Sequence, residues 1–149
     1  MTESVSEWRR DRWTISADPA RIDLEVVFDF LSEEAYWAQG RERDVVERSV
    51  AGSLVFGVYD GERQIGFARA VTDRATFAWI CDVFILPEAR GNGLGVWLME
   101  CIVAHPLLQG LRRMFLATRD AHDLYRKVGF TELPEPSRFM IRQGPRPPT

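Results

Sequence analysis

Residues Asp82-Val-Phe-Ile-Leu-Pro-Glu-Ala-Arg-Gly-Asn-Gly-Leu-Gly95 constrain this chain more than any other stretch, because they run from an apolar strand through a glycine-rich turn into a helix. Val83, Phe84, Ile85 and Leu86 form a continuous, partly β-branched apolar run closed by Pro87, the pattern of a buried strand. Arg90 to Gly95 supply the turn. Glycines reach backbone angles closed to other residues, so successive N–H groups can converge on one anion, and a helix beginning near Leu94 adds its positive dipole end. A pyrophosphate suits such a cradle. The dinucleotide fingerprint G-x-G-x-x-G does not match, since the glycines at 91, 93 and 95 fall at other offsets. The triphosphate loop fails too, since no Lys-Ser or Lys-Thr pair follows.

A second segment narrows the choice. Arg113-Met-Phe-Leu-Ala-Thr118 reads as another short buried strand, and Asp120 to Gly129 as a helix. Asp120 is placed to cap its N-terminus with Asp123 three residues on, and Gly129 is placed to stop it. Arg90-Gly-Asn-Gly-Leu-Gly95 resembles the Arg/Gln-x-x-Gly-x-Gly/Ala signature of the GNAT acyltransferase superfamily. Tyr125-Arg-Lys-Val-Gly-Phe130 resembles the Tyr-x-x-x-Gly-Phe element that ends that superfamily's acyl-CoA domain. Both motifs occur in the expected order and at roughly the expected separation.

The resemblance implies an acetyl-CoA-dependent N-acetyltransferase. Arg90, Gly91, Asn92, Gly93, Leu94, Gly95 and Val96 would hold the pyrophosphate. The backbone of Val83, Phe84 and Ile85 would pair with the pantetheine amides where this strand splays from the next. Thr118 stands where many relatives have asparagine and keeps one donor and one acceptor for the cofactor. Tyr125 corresponds to the tyrosine beside the thioester sulfur, so it belongs both to the cofactor contacts and to the catalytic group.

The whole chain fits that plan as an α/β (α+β) fold: a mixed central sheet of six to seven strands flanked by about four helices, in the order β-α-α-β-β-β-α-β-α-β. At 149 residues with 46% hydrophobic content, the chain is about one domain with ample material for a core. Residues 12–142 form the expected domain, after an N-terminal segment over 1–11 and before a proline-rich, disordered tail over 143–149. Arg12 to Ser16 alternates as a first strand. Asp18-Pro19 offers a helix start, and Ile22, Val26, Val27, Phe30 and Leu31 give that helix one apolar face. Val45 to Ala51 is a second, shorter helix. Leu54 to Tyr59 and Gln64 to Val71, joined through Asp60-Gly61, form a hairpin. Phe77 to Leu86 is a central strand and Val96 to Ala104 an apolar helix. Ser137 to Ile141 is the expected last strand, with a further strand around Thr131 an option.

Acetyl transfer to an amine needs a proton removed from an ammonium of pKa about 10 and one delivered to a thiolate of pKa about 8.5. Tyr125 is the candidate acid. Asp82 is a candidate base, since a carboxylate in an apolar strand should have a raised pKa. Regular alternation would point it away from the face where related enzymes carry a glutamate, here occupied by Trp79 and Cys81, unless a β-bulge intervenes. Its other role is a buried hydrogen bond to backbone or an arginine. Glu33, Glu34 and a water chain are further routes for the proton. In this fold the loop between the first two helices, Ser32 to Arg43, mainly selects the acceptor. There Tyr36 and Trp37, with Glu33 and Glu34, could wall a pocket around a cationic amine. The alternative is a non-catalytic domain that senses acyl-CoA, its base lost to Trp79 and Cys81.

A small-molecule or peptide amine is therefore the expected partner, with a homodimer an option. The net charge of −3 offers no footprint for nucleic acid. No apolar stretch is long enough for a bilayer and no secretory signal opens the chain, so the expected site is cytoplasmic, without membrane association. Cys81 and Cys101 lack metal or disulfide spacing and read as reduced core residues; no metal is expected.

Overall fold

The computed structural model describes residues 5–145. Its six strands lie side by side in chain order: β1 Glu7–Arg10, β2 Trp13–Ser16, β3 Leu54–Asp60, β4 Arg63–Thr72, β5 Phe77–Ile85 and β6 Arg113–Phe115. Every neighbouring pair is antiparallel except β5 and β6, which are parallel and joined by a helical crossover. Four α-helices accompany the sheet: α1 Leu24–Asp29, α2 Arg43–Ala51, α3 Leu94–Ala104 and α4 His122–Arg126. This is the mixed α/β architecture expected from the sequence.

Helices cover both sheet faces, which explains why the central strands carry so few polar residues. On one face Leu98, Met99 and Ile102 of α3 bury Ile15, Phe56, Ala68, Ala70, Ala78 and Ile80. On the other, Val27 of α1, Phe30, Leu31 and Val46 of α2 bury Val55, Phe67 and Phe84, with the Phe30 and Phe84 rings stacked at 4.1 Å.

Three elements differ from the expected order. The sheet gains a strand at its start, because Asp11 takes a φ of +53 and turns the chain so that β1 folds back on β2. The helix expected from Asp18 is cut in two. Asp18 caps only a single 3-10 turn, Pro19–Arg21, and Asp23 then caps α1 by accepting from Glu25 N and Val26 N. Tertiary bonds hold the break: the Tyr59 hydroxyl donates to Arg21 O at 2.9 Å, and Asp23 N donates to Gln64 Oε1 at 2.7 Å. At the far end, the last strand expected over Ser137 to Ile141 is absent, and Thr131 lies in no strand either. Pro136 starts a 3-10 turn over Pro136–Arg138 instead, and Met140 is 99% exposed. Met1 to Ser4 and residues 146–149, which hold most of the expected proline-rich tail, lie outside the described residues. Among the described residues no helix is long and apolar enough to cross a membrane.

Candidate active site

A single inserted residue in β5 organises the site. β4 and β5 pair Phe67 with Phe84 and Arg69 with Cys81, so Ala68 alone faces both Asp82 and Val83. This is a β-bulge, and Asp82 takes a left-handed φ of +54 within it. Before the bulge, Ala78 and Ile80 face α3; after it, Val83 and Ile85 pack toward that cluster while Phe84 turns to the opposite face. Asp82 thereby leaves its regular side and joins Cys81 on the α1–α2 side.

There its carboxylate is the hub of a buried network. Trp37 Nε1 donates to Oδ1 at 2.9 Å, while Arg41 Nη1 and Arg69 Nε donate to Oδ2 at 2.8 and 2.7 Å. Burial alone would push this carboxyl up, as the sequence suggested. The Arg69 and Arg41 guanidinium groups outweigh burial and hold it below the usual carboxylate value. Asp82 thus stays ionised and ties the loop carrying Trp37 and Arg41 to the sheet. A salt-bridged carboxylate with both oxygens engaged is poorly placed to take a proton from an amine, so the structure favours the hydrogen-bonding role of Asp82 over that of base.

Below β5 the chain makes the cradle. After the short turn Pro87–Ala89, Arg90 Nε donates to Ile85 O at 3.0 Å and Asn92 Nδ2 donates to Ala89 O at 2.9 Å, fixing the loop from within. Gly91 and Gly93 take φ values of +85 and +72, and a Cβ at either would enter open space with nothing within 4 Å. Gly93 caps α3 with no side chain. The first bond into that helix runs from Trp97 N to Gly93 O, so the N–H groups of Leu94, Gly95 and Val96 find no protein acceptor among the described residues. These donors, an open approach and the positive end of an eleven-residue helix fit a pyrophosphate. Two residues of the loop play parts that the sequence did not specify. Gly95 takes no left-handed angle, and a Cβ there would sit 3.1 Å from Leu124 Cδ1, the end of a side chain on α4. The Asn92 side chain serves the turn and lies outside the cavity wall.

A groove leads away from the cradle. β5 and β6 pair only from Phe77 to Trp79 against Arg113 to Phe115 and part beyond, leaving Val83, Ile85, Leu116, Ala117 and Thr118 to line the gap. Thr118 Oγ1 accepts from Ala121 N at 3.0 Å, forming the turn into α4. Asp120, expected to cap this helix, makes no such bond; Ala121 holds the cap position without a side-chain contact. Tyr125 on α4 packs edge-to-face with Phe130 at 6.1 Å, and its hydroxyl has no hydrogen-bond partner among the described residues. Burial, followed by the proximity of Tyr36 and Asp120, pushes this phenol above its ordinary value, so it keeps its proton.

Cradle, groove and Asp82 network open into one cavity of about 840 Å³. Glu34, Tyr36, Trp37, Arg41, Arg69, Val71, Trp79 and Cys81 wall its far end. Glu33, grouped with them from sequence, is exposed and lies outside that wall. Tyr36 packs edge-to-face on Trp37 at 5.1 Å, and its hydroxyl accepts from Arg119 N at 3.2 Å. The Arg119 guanidinium sits 3.7 Å from the centre of the Tyr36 ring, so the α1–α2 loop reaches across to the loop before α4. Cys81 lines the cavity rather than the core, and burial pushes its thiol up to about 11, leaving it a poor nucleophile near neutrality. Sequence reasoning did not single out Arg69. The signal was a lone arginine in the apolar run Ile65 to Val71, one strand from the lone aspartate of β5.

Comparison with known proteins agrees with this geometry. The family model described as the acetyltransferase (GNAT) family matches residues 3–130. A protein of Gibberella zeae named as an acetyltransferase is 30% identical over 142 residues, covering 80% of this chain and 79% of its own. A crystal structure of a protein from Xanthomonas campestris pv. campestris, assigned in its name to the GNAT family, superposes with a TM-score of 0.86 at 44% identity, over 89% of this chain and 94% of that one. A Clostridium acetobutylicum structure named as a complex with acetyl-CoA shares the fold alone, at 15% identity with a TM-score of 0.65 over 88% of this chain and 94% of that one. Motifs, sheet topology and these matches together make this chain a member of the GNAT acetyltransferase family, an acyltransferase.

Proposed function

We propose that the protein moves an acetyl group from acetyl-CoA to a primary amine of a small molecule or peptide, by direct attack within a ternary complex. The observation that carries this reading is the Tyr125 hydroxyl, protonated and without a protein partner among the described residues, on the same cavity as an anion cradle of free helix N–H groups.

Acetyl-CoA, when bound, supplies an activated acyl carbon and a thiolate leaving group. The N–H groups of Leu94, Gly95 and Val96 receive the pyrophosphate, and the parted edge of β5 offers backbone groups to the pantetheine amides. Tyr125 holds a proton for the departing sulfur as the carbon–nitrogen bond forms and the carbon–sulfur bond breaks. Glu34 lines the cavity and has no ion-pair partner among the described residues, so it receives the ammonium and takes its proton through water. Cys81 remains a thiol, consistent with attack by the amine itself rather than through an acyl-enzyme. Free cysteines at 81 and 101 accord with a cytoplasmic site.

The test is acceptor-dependent thiol release from acetyl-CoA across polyamines, amino acids, aminoglycosides and short peptides, with Tyr125→Phe beside the wild type. Release with at least one acceptor, reduced in the variant, is the expected outcome. Saturable acetyl-CoA binding without release from any acceptor would favour an acyl-CoA sensor instead.

A further inference from the structure

We infer that the acceptor carries an anionic group, a carboxylate or a phosphate, as well as its amine, and that Arg41 and Arg69 recognise that group. This rests on the acetyl-transfer reading above. Two guanidinium groups converge on the single carboxylate of Asp82, which is 1% exposed and already engaged by Trp37 on its other oxygen. One positive charge is therefore left over. Seating Asp82 needs only one arginine, and two cations on one anion repel each other in a half-buried setting.

Both arginines also line the cavity. Their side chains keep 19% and 14% exposure, and both retain unused donors. Arg69 Nη1 donates to Ser53 Oγ at 3.2 Å, while Arg69 Nη2 and the Nε and Nη2 groups of Arg41 have no acceptor among the described residues. Guanidinium groups with spare parallel donors suit carboxylate or phosphate oxygens. The surrounding wall of Val71, Trp79 and Tyr36 is apolar or aromatic, which strengthens any charge pairing inside it. The remaining charges on the cavity separate by place. Arg90 belongs to the cradle loop and Asp120 lies by Tyr125, leaving Glu34 on the acceptor wall as the free anion for the ammonium. An acceptor with both charges satisfies both sides.

Ethylamine, β-alanine and 2-aminoethyl phosphate share an aminoethyl core and differ in the group that matters. With the full-length protein and acetyl-CoA, kcat/KM for β-alanine or for 2-aminoethyl phosphate should exceed that for ethylamine by about tenfold or more, the yield of one charge-assisted contact. Whichever acid is preferred distinguishes carboxylate from phosphate. Arg41→Gln should remove the preference through KM, with acetyl-CoA binding unchanged, and Arg41→Lys should restore part of it. Equal use of all three amines, or preference for ethylamine, overturns the inference while leaving acetyl transfer intact. If no amine turns over, the acetyl-transfer reading fails separately, and binding decides: saturable quenching of tryptophan fluorescence by either acid in wild type but not in Arg41→Gln supports the arginine site, and no binding overturns it. The wild-type comparison needs no variant to fold.

Discussion

Replacing Asp82 by asparagine should destabilise the protein by about 2 kcal/mol, the difference between a charged and a neutral hub. Asparagine keeps the size of the side chain and tolerates the φ of +54, so it isolates the charge. Three donors converge on the carboxylate within 2.9 Å, two of them guanidinium groups. Hydrogen bonds involving charged groups contribute about 1.5–3 kcal/mol and neutral ones about 1. Breaking a buried pair outright costs about 3–5 kcal/mol. Arg41 and Arg69 retain 19% and 14% exposure and can turn partly to water, which places the asparagine variant below that range. Asp82→Ala should cost more, about 3–4 kcal/mol, because it removes all three hydrogen bonds and also the short polar side chain that lets aspartate or asparagine hold the left-handed region more readily than alanine. Asp82→Gly, which relieves that strain, should fall between them.

Urea unfolding with unchanged slope is the assay, and a domain of this size should lose about 4–8 °C in Tm for the asparagine change. The sign with pH is fixed by direction. The folded carboxyl lies below its unfolded value of about 3.9, so its contribution is complete above that pH and is lost as pH falls through the folded value. The gap between wild type and Asp82→Asn should therefore narrow in acid. A variant within about 0.5 kcal/mol of wild type at pH 7, or a gap that widens in acid, would refute the account of Asp82 as an ionised hub.

Tyr125→Phe should lower kcat by about 10²–10⁴, the usual contribution of a positioned acid, while leaving acetyl-CoA affinity within a few-fold. Since the phenol is raised above its ordinary value, loss of its proton should not limit wild-type activity until pH passes about 10, which a pH–rate profile checks. Gly93→Ala puts a Cβ into the open cradle at a φ of +72; titration calorimetry should show weaker acetyl-CoA binding, with about 1 kcal/mol of stability lost as well. Cys81→Ser should leave turnover within a few-fold, and intact mass after mixing with acetyl-CoA should show no acetylated enzyme; a stoichiometric acyl adduct on Cys81 would overturn direct attack.

The elements around the cradle were legible because their signals are local. Apolar runs, Asp60-Gly61 and the glycine loop each act within a few residues, and the hairpin β3–β4, strand β5 and helix α3 fall close to where the pattern puts them. What escaped depends on distant partners. Asp23, beside Ile22, can cap a helix but also fits the polar face of a longer one, and the break there is maintained by bonds from Tyr59 and Gln64. The role of Asp82 depended on arginines at 41 and 69, and strand alternation could not reveal which way a bulged residue points. Ser137 to Ile141 has strand-like composition, yet Pro136 commits the chain to a turn and no neighbouring strand pairs with it. Glu33 and Glu34 were indistinguishable in sequence; only the π-helical turn over Phe30–Glu34 decides which of them reaches the cavity.

The extra residue in β5 divides the work of one strand between two evolutionary ledgers. Upstream of Asp82, side chains such as Trp79 and Cys81 shape the cavity wall that would meet the acceptor in the proposed reaction; downstream, the strand edge presents backbone groups whose chemistry does not depend on which residues carry them. On that reading, substitution upstream would retune acceptor choice without disturbing the donor, and drift downstream would leave donor recognition intact so long as the strand keeps its shape. A deletion of Asp82 at the bulge is different in kind: it would restore regular pairing and leave Val83, Phe84 and Ile85 on their present faces, but it would remove the carboxylate that ties Trp37 and Arg41 to the sheet. On the proposed reading, substitution is free to change which amine is acetylated, but not to lose the inserted residue that anchors the acceptor loop to the strand.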